Sequence, residues 1–332
     1  MSEVETKSRR PALARLSQEQ IVLLLVLALI AIFGISLNGF FSANNLLNVL
    51  RSVSSLGILS IGMAVVVIAR GIDLSLVASM GVATALSIQM MQQSVSTPLA
   101  LLAGLSVVVI MGVFNGFLIA FIEIPALFAT LASGLLIYGF ARSVLLNGLI
   151  AELPRDRHFV STLGQGVLLG VPAPIIVFAG VAIVAQFLLT RTKAGRFVYA
   201  HGDNAGAAGL TGIPVRPFTV LEYLFSAVVG FIGGLVLAGS VGGFNTQVIS
   251  GSLIYDVLLV VVVGGVSLVG GRGSMFSVVV GAALIGVMLN GMTILDMTSA
   301  QQNIVKGLIL LGALVLDNQL HPRDEETVRQ GD

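Results

Sequence analysis

Residues 98–121 read PLALLAGLSVVVIMGVFNGFLIAF, and no ionisable side chain interrupts them. About 20 apolar residues suffice for a helix to cross the hydrocarbon core of a bilayer. Working outward in both directions, similar apolar runs recur along the whole chain. The ten expected spans fall near 20–38, 46–69, 74–93, 98–121, 125–146, 172–190, 217–240, 253–270, 274–294 and 303–318. The expected fold is an all-α polytopic membrane bundle of about ten helices, some short or broken. The domain plan is a tail at 1–19, a transmembrane domain at 20–318 and a second tail at 319–332.

Composition agrees with that class. The chain is 56% hydrophobic and 10% charged, with mean hydropathy +1.02. A soluble domain carries about 25% charged residues, so this chain lacks the charge to cover a soluble surface. A net charge of +1 gives no reason to expect a nucleic-acid partner. No cysteine is present, which excludes disulfides, thiolate metal sites and cysteine nucleophiles. His158, His201 and His321 lie far apart and form no metal-ligand motif. The lysines are Lys7, Lys193 and Lys306, and none sits in a Gly-Lys-Ser/Thr phosphate loop. HExxH, GxSxG and paired-carboxylate signatures are also missing. The chain is therefore expected to be a non-catalytic membrane component with no cofactor and no metal.

The run Ile21–Leu37 follows Lys7, Arg9, Arg10 and Arg15 and is too long for an ordinary signal-peptide core. We read it as a retained first span with a cytoplasmic basic flank. Ten spans then place both termini inside. The inner side would hold those four cations with Arg70, Arg191, Lys193, Arg196, Arg216, Arg272, Arg323 and Arg329. The outer side would hold Arg51, Arg142, Arg155, Arg157 and Lys306. The imbalance follows the positive-inside rule. Loop 191–216 is then cytoplasmic and loop 147–171 external, with the segment RDRHF (155–159) amphipathic enough to lie on the outer surface. The start of the second span, with Asn44, Asn45, Asn48 and Arg51, is polar enough for the interface. The hairpins at 70–73 and 270–274 are short enough that their helices would be broken or re-entrant, which is tolerated only inside protein or beside a cavity. The mixed-charge tail after His321 carries no assigned function.

Ionisable groups near the spans are the candidates for function. Asp73 can cap the third helix through first-turn amides, or contact a solute. Glu123 can reach water. Glu222 and Asp256 suit helix N-termini, and Lys306 can snorkel outward. None sits at midplane with an evident partner, which argues against an ion-coupled carrier. Glycine is abundant, at 39 residues, and either packs helices closely or lines a narrow path. Asn115-Gly116 and Asn290-Gly291 recur after Gly-Val and hint at an internal repeat.

Taken together, several motifs carry a family resemblance. GIDLS (71–75), NGFLIA (115–120), IPALFATL (124–131) and TKAGRFVYA (192–200) come first. Asn204, Ala207-Ala208, LTGI (210–213), GGVSL (264–268), GGRGS (270–274) and NIVKG (303–307) follow in order. This set resembles the membrane permease of carbohydrate-type ABC importers, the ribose, xylose, arabinose and galactose permeases, over roughly 40–318. The resemblance implies a permease in the bacterial inner membrane that forms the path for a sugar or related solute. It implies a second permease subunit, as a homodimer or pseudo-dimer, cytoplasmic P-loop ATPase subunits and a periplasmic sugar-binding protein. It places an ATPase-coupling helix near Asn204–Ile213, with Gly195, Arg196, Asn204, Ala207, Ala208, Leu210, Gly212 and Ile213 as candidates. Path or gating candidates are Asp73, Ser75, Asn115, Gly116, Asp256, Gly264, Gly265 and Asn290. The chain departs from the pattern at Ala205-Gly206, where relatives often carry acids, at Leu76-Val77 and at Ile254-Tyr255. The rival readings are a gradient-driven carrier acting alone and a non-transporting scaffold.

Overall fold

Continuous apolar sequence with few breakers leaves the backbone no partner but itself in lipid, so helices form. The computed structural model describes residues 18–154 and 158–320. The basic flank Lys7–Arg15, residues 155–157 of the amphipathic segment and the tail from His321 lie outside the described residues.

Helices stand at all ten expected spans. They are α1 (Gln18–Ser36), α2 (Ala43–Ile68), α3 (Leu76–Gln92), α4 (Thr97–Ala120) and α5 (Ala126–Phe140, extended by a π turn, Ala141–Leu145). After β1 (Ile150–Glu152), α6 (His158–Gln165), β2 (Val167–Leu168) and β3 (Val171–Pro172) comes α7 (Ala173–Arg191). Two short helices follow, α8 (Lys193–Asp203) and α9 (Ala205–Leu210), then α10 (Val215–Val241) and β4 (Gly243–Asn245). A 3₁₀ turn (Thr246–Ser250) leads to α11 (Leu253–Gly264), α12 (Met275–Ile294) and α13 (Ser299–Leu320). Among the described residues, 7 helices are long and apolar enough to cross a membrane, while α3 and α11 are shorter apolar helices. The expected span 253–270 is thus corrected: its helix stops at Gly264, because Gly265 takes φ 101° and ends it. The polar start of the second span is part of one 26-residue helix.

α2 lies at the centre. Of its most apolar window 83% is inside the protein, against 11% for α1, which borders the bundle. α10 packs on α2 and α4, and α12 packs on α2 and α11. Small residues allow these approaches. A Cβ on Gly112 of α4 would stand 2.7 Å from the Leu224 Cα of α10, and one on Gly62 of α2 would stand 3.0 Å from the Ser226 carbonyl. A Cβ on Gly116 would collide with the Val220 backbone, and one on Gly264 would meet the Ser277 carbonyl at 2.6 Å.

The connections separate into two faces. On one, β1 pairs antiparallel with β4, and the Thr246 amide donates to the Leu149 carbonyl at 2.8 Å. On the other, the Gly271 amide donates to the Ile68 carbonyl at 2.8 Å. On that face too, Arg216 pairs with Glu123 at 2.9 Å, with its guanidinium 5.9 Å from the Phe121 ring. This second face carries Arg70, Arg191, Lys193, Arg196, Arg216 and Arg272.

Candidate functional site

The segment between α7 and α10 is built by capping. Thr192 accepts the Gly195 amide at 3.2 Å and starts α8. Gly195 is buried where a Cβ would strike the Leu189 carbonyl, while Arg196 is exposed. Asn204 ends α8 and starts α9, its Oδ1 accepting the Ala207 amide at 2.9 Å. α9 closes with Gly212 at φ 83°. The Gly212 amide donates to Gly209 and the Ile213 amide to Ala208, at 3.1 and 3.2 Å. This is the paired C-terminal motif that favours glycine. Ala208 faces inward at 5% exposure, Ala207 is exposed, and Leu210 is 92% exposed at the helix end. Both ends of α9 are thus capped, Ala208 anchors it, and an apolar side chain is aimed at solvent.

The same segment is tied to the bundle. Tyr199 donates to the Gly273 carbonyl at 2.8 Å, and burial pushes its phenol above the usual tyrosine range, which keeps it a donor. A Cβ on Gly202 would overlap the Ile68 carbonyl and stand 2.6 Å from the Gly271 amide. His201 Nδ1 lies 3.2 Å from Glu222 Oε1 on α10, and Glu222 is 3% exposed. The expectation that Glu222 merely suits a helix terminus is corrected: it is buried against a histidine from α8. A cleft of about 720 Å³ opens beside this pair, bordered by Arg70, Glu123, His201, Gly206 and Arg216.

The GIDLS stretch is a break between α2 and α3. Arg70 takes φ 68°, and the Gly71 amide returns to the Val66 carbonyl at 2.8 Å. Asp73 is 1% exposed. Its Oδ1 accepts the Ser75 amide at 3.1 Å and the Ser75 hydroxyl at 2.6 Å, and its Oδ2 accepts Ser226 at 2.9 Å. Asp73 thus holds Ser75, the residue at the entry of α3, and ties it to α10 through Ser226; the side-chain cap on first-turn amides expected of it is replaced by these bonds. Asn115 donates to Ser75 Oγ at 2.7 Å, and its own Oδ1 is buried without a hydrogen-bond partner. Thr130 of α5 accepts the Leu74 amide at 3.1 Å. Asp73, Ser75 and Asn115 form one cluster, with Gly116 packed beside it on α4.

The remaining candidates lie elsewhere. Gly264 and Gly265 end α11, and Asn290 exchanges amide hydrogen bonds with Asn45 at 2.8 and 3.1 Å. Asp256 is on the opposite face from α9. Lys306 Nζ lies 2.7 Å from Asp256 Oδ1 and donates to Ser252 Oγ at 2.9 Å, and both charged residues are 8% exposed. Lys306 does not snorkel, and Asp256 has a buried cationic partner, which corrects both expectations. A lone lysine in an apolar span signals the need for a carboxylate, so that pairing could have been sought. Nothing in the sequence pointed to His201–Glu222, or to Glu19, which accepts Ser274 and Ser277 at 2.8 and 2.6 Å.

Among known proteins, residues 45–314 match the family described as the permease component of branched-chain amino acid transport systems. The chain is 32% identical to the ribose import permease protein RbsC of Haemophilus influenzae, over 91% of this chain and 94% of the relative. It is 31% identical to the xylose transport system permease protein XylH of the same organism, over 90% and 96%. It is 32% identical to the galactofuranose transporter permease protein YtfT of Escherichia coli, over 82% and 79%. No solved structure matches the chain. A multi-pass helical bundle with this motif order and these matches defines a transport permease. The chain belongs to this family of ABC-type permease components.

Proposed function

We propose that this chain is the permease subunit of an ATP-driven sugar importer. The family description speaks of branched-chain amino acids, yet relatives covering most of the chain bear the names of ribose, xylose and galactofuranose permeases. The path is formed with a second permease copy, a binding protein delivers the sugar outside, and ATP is hydrolysed by a separate partner. Catalysis is not assigned to this chain.

The observation that carries the reading is α9. A six-residue helix does not persist alone in water. Here both ends are capped, and the helix holds Leu210 at 92% exposure. It stands on the face that carries Arg70, Arg191, Lys193, Arg196, Arg216 and Arg272, which the positive-inside rule assigns to the cytoplasm. Presentation of an apolar end by a capped helix on that side suits docking into a groove of the ATPase. Ala205 and Gly206 follow Asn204 without an acidic side chain, so the contact rests on shape. Force on α9 passes through Gly202, Tyr199 and the His201–Glu222 pair to the Arg70–Ser75 break and to α10.

The test is purification of the tagged chain from native membranes in mild detergent, with mass spectrometry of its companions. A stoichiometric P-loop ATPase is expected. The double variant Ala207→Glu/Leu210→Glu should lose that ATPase while keeping its helical content. Full ATPase yield from the variant removes α9 as the docking element. A wild-type preparation without ATPase after gentle crosslinking points to a gradient-driven carrier instead.

A further inference from the structure

α11 is short for a membrane span. Its 12 residues rise about 18 Å, against a hydrocarbon core of about 30 Å. The connections at its two ends, 243–252 and 265–274, must then make up the difference, the first as a short strand and a 3₁₀ turn. Non-helical backbone at that depth is tolerated where it is buried in protein or borders a water-filled cavity. Phe244 and Thr246 take the first course, at 2% and 1% exposure. Ser250 and Gly251 take the second and, with Tyr255 of α11, border two adjoining clefts of about 460 and 220 Å³. The larger is also walled by Ser252, Asn303 and Lys306.

We propose that this recess, between the N-terminal turns of α11 and α13, is a weak binding site for a neutral sugar entering from the side opposite α9. The inference rests on the importer reading and adds the residues that would meet the solute. An ammonium has three donors. Lys306 lies within ion-pair distance of Asp256 and donates to Ser252 Oγ, and it borders the recess. The pair as a whole is neutral, so it does not favour a phosphate or a carboxylate. A polyhydroxylated solute accepts from the ammonium and can exchange hydrogen bonds with Ser252 and Asn303, which wall the recess. Tyr255 is 59% exposed and offers a ring face to the apolar side of a sugar ring, while Asn303 adds a donor and an acceptor. As a mere clamp between α11 and α13 the ion pair would be a poor choice, because apolar residues of similar volume hold helices as well or better.

The chain contains no Trp, so Tyr255→Trp places its single indole in the recess and keeps an aromatic face. The purified full-length variant is titrated with D-ribose, D-xylose, D-galactose and inorganic phosphate, with fluorescence as the readout. A saturable change with at least one sugar and none with phosphate is expected. Adding Asp256→Leu/Lys306→Met should abolish the change, while the melting temperature stays near that of the parent. In cells, Tyr255→Ala should lower sugar uptake up to about tenfold. The proposal is overturned by the absence of any saturable sugar response, by an unchanged response without the ion pair, or by a response to phosphate alone. Capture of the ATPase separates the two levels: a chain that holds its ATPase and ignores sugar loses this site only, whereas a chain without an ATPase loses the importer reading and this site with it.

Discussion

Asp256 and Lys306 show what a buried charge needs in this molecule. Each is 8% exposed, and they stand 2.7 Å apart. Removing one partner leaves the other uncompensated, which costs about 3–5 kcal/mol. Lys306→Met alone should therefore lower the melting temperature in detergent sharply. The double change Asp256→Leu/Lys306→Met should restore it, and a double variant as unstable as the single one would show that the pair is not the source of the loss. Gly202 obeys a steric rule rather than an electrostatic one. A Cβ there would overlap the Ile68 carbonyl, so Gly202→Ala should cost about 1–3 kcal/mol through overpacking. The same variant should weaken ATPase capture, and an unshifted melting curve with full capture would contradict that packing. Of these residues, Asp256 was legible as a candidate and its partner was not.

At the scale of elements, the family resemblance located α9 near 204–213 and the shortness of the 70–73 hairpin marked the break before α3, while the caps that build α9 are local. Asn204 and Gly212 bracket six residues, and the physical requirement at each end falls on one residue type. Asn204→Ala should destabilise α9 by about 1 kcal/mol, which proton exchange of the Ala207 amide would report as lost protection. α8 and α10 are coupled by a different device. His201→Ala leaves Glu222 buried without its histidine, and the combination with Glu222→Leu should recover most of the lost stability in a double-mutant cycle. Additive losses would show that the two side chains act separately. The end of α11 was misjudged, since hydropathy continues through Val266, Leu268 and Val269 while the left-handed Gly265 stops the helix.

For the whole molecule, the division of the connections into two faces makes orientation measurable. The chain has no cysteine, so single cysteines report without background. Gly148→Cys should react with an impermeant maleimide in intact cells, and Gly206→Cys should react only after the membrane is opened. The reverse pattern would invert the assignment and remove α9 from the reach of a cytoplasmic ATPase. The membrane class and the helices that stand at the ten apolar runs, with their order, were set by the chain's own composition and by the length of those runs. Those are local properties, because each helix satisfies its backbone within itself and lipid accepts any apolar exterior. Which polar groups meet was decided only in three dimensions. Asp73 reaches Ser226 across 153 positions, and His201 reaches Glu222 across 21. No periodicity or propensity encodes such distances along the chain. They arise from how α2, α4, α10 and α11 pack, where a buried carboxylate must find whichever donor the packing brings within hydrogen-bond range.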